Sequence, residues 1–175
     1  MKSFLRKVWN FYWKGESVLS YAFFIIVTYL AFRFVLFPGF LLVTGLSDVV
    51  AIMSESMEHV GNEDAYYYQY FETNGYNRSV VDAFPYTTGL YVGDVLLVKE
   101  TNNYSVGDVV IYYSPEFGNK IIHRIVSTDP IVTKGDNNPR SLFFEYNVTQ
   151  IVGRPVLKIP FLGLPRWLLY KLVGI

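Results

Sequence analysis

Three short runs of this sequence carry the side chains that could make and break a covalent bond. The first is Ser54-Glu55-Ser56-Met57, at the end of the apolar run 49–53. The two serines are two positions apart, so in an extended chain their hydroxyls point to one side. Taken alone, they read equally as surface serines at a turn. The second is His123, in Ile121-Ile122-His123-Arg124-Ile125-Val126. A histidine among aliphatic residues is either a hydrogen-bonded core residue or a base whose imidazole titrates near neutrality. The third is Asp136, in Lys134-Gly135-Asp136-Asn137-Asn138-Pro139. That string is strong turn chemistry in its own right, and an aspartate there can simply cap its own backbone. Together the three supply the parts of a nucleophile, its base and the group that orients the base.

The elements that must position them read mainly as strands. Val-, Ile- and Tyr-rich runs bounded by turn residues recur at 48–53, 93–100, 107–114, 120–128, 131–139 and 148–160. Their spacing leaves no room for crossover helices, so the fold class is mainly β with an antiparallel sheet. Residues 60–92 break the pattern. They are polar, aromatic and irregular, with a short helix predicted near 63–72, and read as an insertion on the β core. Its Tyr66-Tyr67-Tyr68 and Tyr70-Phe71 run suits an interfacial aromatic belt.

Ahead of this domain lies a membrane anchor. Between Val18 and Leu46 the only charged residue is Arg33, and the 20 residues from Val18 to Phe37 would span about 30 Å as a helix. Pro38-Gly39 offers a stop. Lys2, Arg6, Lys7 and Lys14 precede the span, and after it no Lys or Arg occurs until Arg78. The positive-inside rule then gives a cytoplasmic segment 1–17, an anchor with its outer interface segment over 18–46, and an extracytoplasmic domain over 47–175. The tail 160–175 is apolar but broken by Pro165, Arg166 and Lys171. It reads as a strand end followed by a membrane-proximal segment, lying on the bilayer or on the domain. Asn77, Asn103 and Asn147 open glycosylation sequons, a pattern that also arises often by chance.

Composition removes several classes. The formal net charge is zero with no basic block, so no nucleic-acid partner is expected. Cysteine is absent, which excludes disulfides, thiolate zinc sites and a cysteine nucleophile. With only His59 and His123 as imidazoles, carboxylates would have to supply most ligands of any zinc site, and no metal or cofactor is expected.

In this order and spacing the motifs resemble those of membrane-bound type I signal peptidases, specifically the archaeal and endoplasmic-reticulum branch. The likeness runs along the whole chain: an N-terminal anchor, "SESM", "GDVVIYYSP", "IIHRIV" and "KGDNN". A histidine at 123, where the bacterial branch has lysine, marks the branch. The resemblance implies a signal-peptidase-like β domain on one transmembrane helix, acting as a serine endopeptidase that removes signal peptides from secreted and membrane preproteins. It implies Ser56 as nucleophile, His123 as general base, Asp136 as their acidic partner and Ser54 as an oxyanion donor. The implied partners are preprotein signal peptides, the lipid bilayer and the secretion translocon. The implied location is the cell membrane, or that of the endoplasmic reticulum if the source is eukaryotic. Two positions depart from the family pattern. His59 stands where proline is usual and is a rival base. A second aspartate five or six residues after the first is replaced by Ser141 and Leu142, leaving Asp136 to act alone or Ser141 to supply a hydrogen bond. That missing acid also favours the alternative of a decayed, peptide- or partner-binding β domain.

Overall fold

A computed structural model describes residues 2–14, 16–59 and 64–174. The chain divides into two compact units, residues 1–45 and 46–175.

The first unit is helical. Helix α1 (Lys2–Lys14) packs on α2 (Val18–Ala31) through Phe11 against Phe23 at 5.6 Å and Tyr12 against Phe24 at 4.8 Å. The Tyr12 hydroxyl also meets Thr28 Oγ1 at 2.8 Å. Ser17 caps α2 by accepting from the Ser20 N–H. Pro38-Gly39 does not end the span as the sequence suggests. The helix passes through a π-helical turn, Phe32–Leu36, into α3 (Phe37–Thr44), giving one continuous 27-residue helix, Val18–Thr44, long and apolar enough to cross a membrane. A proline in an α-helix lacks an N–H and clashes with the carbonyl four residues back. The wider π turn absorbs both: the Phe37 N–H bonds the Phe32 carbonyl, and Pro38 falls in the first turn of α3. The stop comes at Gly45, whose φ of 67° is the left-handed cap that glycine adopts without strain.

The second unit is built on six antiparallel strands: β1 (Asp48–Ala51), β2 (Val95–Lys99), β3 (Val109–Ser114), β4 (Asn119–Thr128), β5 (Ile131–Lys134) and β6 (Ile151–Ile159). Their order across the sheet is β1-β2-β6-β3-β4-β5. Strand β6 joins the halves by changing partner, pairing with β3 at Ile151 and Gly153 and with β2 from Arg154 onward. Pro155, which has no N–H for the ladder, falls beside the register shift at Leu97/Val98. Strand β3 is covered on both sides. Val109 and Ile111 pack with Leu96, Val98, Ile52 and Met57, while Val110 and Tyr112 pack with Ile125 and Val148.

The insertion forms α4 (Asp64–Thr73) and α5 (Arg78–Val81). Its aromatic run is split: Tyr66 is exposed, whereas Tyr67 and Phe71 do not face outward as an interfacial belt would require of them. Tyr67 and Phe71 are buried against Val81, Phe84 and Tyr76 as a third core cluster, because each large ring gains more from burial against the sheet than from exposure. After β6 the tail forms α6 (Leu164–Val173), with Pro165 in its first turn and Gly174 as its left-handed cap. The three sequon asparagines are all exposed.

Because the insertion is core, Phe71→Ala should lower stability by about 3–5 kcal/mol. This is readable as a fall in the thermal midpoint of the detergent-solubilised protein. A shift smaller than that of an exposed control such as Tyr66→Ala would show that the insertion is not part of the core.

Candidate active site

The site is made where two turns interlock. Strand β1 ends at Ala51, and Ile52 continues the pairing through its N–H to the Asp94 carbonyl at 2.9 Å. The chain then turns at 54–58, closed by the Glu58 N–H on the Glu55 carbonyl at 3.1 Å. Met57 anchors this turn in the core. The turn after β5 grips it from the other side. The Asn137 N–H donates to the Ser56 carbonyl at 2.9 Å and its side-chain amide to the Glu55 carbonyl at 3.1 Å. Gly135 is needed here, since a Cβ would lie 2.8 Å from the Ser56 carbonyl oxygen.

Strand β4 enters beneath. His123 Nε2 lies 3.1 Å from Ser56 Oγ, and Ser54 Oγ lies 3.3 Å from the same hydroxyl. The imidazole is buried, with Phe144 stacked on it at 6.5 Å and the Tyr112 ring edge-on at 6.5 Å. The acid that meets its other nitrogen is Glu145, with Oε1 2.6 Å from Nδ1. The oxygen sits close but off the direction an Nδ1–H would take, so Nδ1 has no partner in good hydrogen-bond geometry. At that separation the carboxylate attracts the ring strongly whenever the ring carries a proton on both nitrogens. Glu145 ends a 3₁₀ turn, Phe143–Glu145, and is fully buried. Its carboxylate accepts from the Gly135 N–H at 3.1 Å and from the Leu142 N–H, which fixes it in place.

Asp136 goes elsewhere, which corrects the expectation that it partners His123. Successive strand residues face opposite sides of a sheet, so His123 and Arg124 point apart. Asp136 is on the Arg124 side. Arg124 Nε donates to Oδ1 at 2.9 Å and Nη2 to Oδ2 at 2.6 Å, while Nη1 donates to the carbonyls of Pro85 at 2.7 Å and Gly107 at 2.8 Å. His59, the rival base, is drawn into the same cluster. Its Nε2 is 2.9 Å from Asp136 Oδ2 and its Nδ1 3.0 Å from the Thr87 carbonyl, so both ring nitrogens are engaged there. The Tyr67 ring covers the cluster, 4.7 Å from His59 and 4.8 Å from the Arg124 guanidinium. Ser141 donates to the Thr133 carbonyl at 2.9 Å. It holds the loop to β5.

The charges follow these contacts. Burial alone would raise the Asp136 carboxyl, but Arg124 and the His59 bond outweigh it and hold the group below the usual carboxylate range. Burial pulls Lys134 down to about 8, and the nearby carboxylates of Asp136 and Glu145 partly offset that. Its ammonium donates to the Gly135 carbonyl at 3.0 Å.

Beside Ser56 and His123 opens a cleft of about 470 Å³ walled by Val50, Ile52, Ile121, Leu142, Phe117 and Phe144. One wall is β1, an edge strand that pairs with β2 alone among the described residues. Its outer edge can accept an extended peptide by strand addition. Among the described residues no group of three or more His, Asp or Glu side chains could hold a metal ion.

Sequence reading missed Glu145. Its signal is faint: an acid directly after Leu142-Phe143-Phe144, three residues from the start of a short turn, where a carboxylate can reach back to an N–H. No family model matches the chain, and no curated protein matches it.

Asp136→Asn removes the only carboxylate in an ion pair with the buried Arg124 among the described residues and should cost about 3–5 kcal/mol near neutrality. The folded carboxyl titrates below its unfolded value of about 3.9, so its contribution is present above that pH and is lost as pH falls through the lower folded value. The gap in urea midpoint between wild type and Asp136→Asn should therefore be widest above pH ~4 and narrow in acid. A gap that is constant from neutrality to acid would rule out a charged Asp136 in the fold.

Proposed function

We propose that this chain is a membrane-anchored serine endopeptidase of the signal-peptidase type, with Ser56 as nucleophile and His123 as general base. The observation that carries the reading is the 3.1 Å contact between Ser56 Oγ and His123 Nε2, made at the mouth of an apolar cleft with a free strand edge. The order of motifs along the chain supports the same family. The helix Val18–Thr44 supports an anchor whose charge flanks put the N-terminus in the cytoplasm and the β domain outside.

A preprotein segment pairs with β1 and lays its scissile carbonyl against Ser56. The hydroxyl attacks the carbonyl carbon as His123 Nε2 takes its proton. Negative charge collects on the carbonyl oxygen, where the Ser54 hydroxyl is placed to donate to it. The intermediate collapses, the amine leaves with the proton from His123, and an acyl-enzyme remains. Water, deprotonated by the same imidazole, then releases the acyl group and restores Ser56. Glu145 takes the place the family gives to aspartate. Against Nδ1 it fixes which ring nitrogen faces Ser56 and stabilises the imidazolium formed during attack. Asp136 and Arg124 hold the two turns together and do not touch the base.

The test is cleavage of a preprotein by the full-length protein in detergent and lipid. Ser56→Ala should reduce turnover to background. Ser54→Ala should keep residual activity, lowered about 10²-fold or more by loss of one oxyanion donor. Glu145→Gln should fold and lose about 10³–10⁴-fold in turnover, as expected when the group orienting a catalytic histidine loses its charge. Equal cleavage by wild type and Ser56→Ala would sink the peptidase reading. Full activity in Glu145→Gln would remove Glu145 from the unit while leaving the serine and histidine in place.

A further inference from the structure

Helix α6 is docked to its domain by one side only. Leu164 packs so closely on Gly93 that a Cβ there would lie 2.5 Å from Leu164 Cδ2, and Trp167 is half-buried. At roughly 100° per residue, Leu169 and Val173 fall on the side turned away, and Leu168 and Leu172 on the flank between it and Leu164. In that order they are 60%, 60%, 51% and 80% exposed, and the two residues leading into the helix, Phe161 and Leu162, are 69% and 60% exposed. A contiguous apolar surface of this kind on a soluble domain marks a docking face.

The rest of the helix identifies what docks. Arg166, Tyr170, Trp167 and Lys171 fill the remaining arc, with Lys171 Nζ 5.8 Å from the Trp167 ring. Aliphatic residues on one arc with Trp, Tyr, Lys and Arg on the other is the pattern of a helix lying in the headgroup region, its basic residues matched to anionic lipid. The ten residues measure about 15 Å, half a hydrocarbon core, so α6 is too short to cross a bilayer and can meet one only along its surface. The same chain carries a helix long and apolar enough to span one. We infer that α6, with Phe161 and Leu162, embeds its free face in the surface of a bilayer containing anionic lipid. The inference is independent of the peptidase reading.

The sequence contains no cysteine, so a single introduced cysteine carries a unique nitroxide label. Full-length Leu169→Cys and Leu172→Cys would be reconstituted in vesicles of zwitterionic lipid alone or mixed with anionic phosphatidylglycerol. Exposed Asn119→Cys at the start of β4 serves as the aqueous control, and unchanged circular dichroism confirms folding. In anionic vesicles both α6 labels should collide with oxygen severalfold more, relative to a water-soluble nickel complex, than the label at 119. In zwitterionic vesicles, or with Arg166→Gln and Lys171→Gln together, nickel access should rise. Labels at 169 and 172 as open to nickel as that at 119 in anionic vesicles would overturn the inference. So would labels shielded from both reagents with dipolar broadening that grows with protein density, which would make the face a contact between copies. Equal depth in the two lipids would overturn the claim for anionic headgroups.

Discussion

The arrangement depends on the alternation of two neighbouring residues in β4. His123 and Arg124 are both buried, and the pleat sends them to opposite sides of the sheet. Each meets its own acid, as expected where a buried charge without a partner is costly and a buried polar ring needs neighbours that compensate its burial. Glu145 meets one and Asp136 the other. The chain has to bring two carboxylates, nine positions apart in sequence, to two faces of the same strand. It does so by placing the first in the tight turn after β5 and the second in the 3₁₀ turn beyond it.

The Arg124 face does the mechanical work. Asp136 takes two nitrogens of Arg124 and one of His59, and its neighbour Asn137 holds the carbonyls of Glu55 and Ser56. The turn that carries Ser56 is thus fixed by one backbone and one side-chain hydrogen bond from a turn that is itself fixed by buried charge. Burying such a cluster adds little net stability compared with an apolar core of the same volume, but removing any one member strands the rest. The aromatic insertion covers this cluster with Tyr67, which explains why a segment so irregular in sequence is packed so tightly.

Five of the described strands were legible to within a few residues from Val- and Ile-rich runs between turn residues, and so was the short helix in the insertion, while the run at 131–139 overshot β5 by the five residues of its turn. The serine–histidine pair was legible from the order of its motifs. What could not be read was which acid serves which cation. In sequence Asp136 sits in a motif and Glu145 does not, yet the choice is made by strand parity at positions 123 and 124 and by the path of a loop, neither visible without the register. The π turn before Pro38 was hidden for a similar reason: proline signals a break, and whether the helix stops or widens depends on the backbone around it. The exposure of α6 was equally out of reach, since an apolar tail reads the same whether it is covered or bare.

We propose Ser56 as a nucleophile set by His123 and Glu145. That proposal is met most directly by a short peptide ending in an alanine aldehyde enriched in ¹³C at the carbonyl, bound to the full-length protein in detergent. Addition of the Ser56 hydroxyl converts that carbon from trigonal to tetrahedral. The expected result is a protein-bound hemiacetal ¹³C resonance, distinct from that of the free aldehyde hydrate, with wild type and with Ser54→Ala, its loss in Ser56→Ala and its marked weakening in Glu145→Gln. A hemiacetal resonance that persists in Ser56→Ala, or none with wild type at saturating peptide, would contradict the proposal.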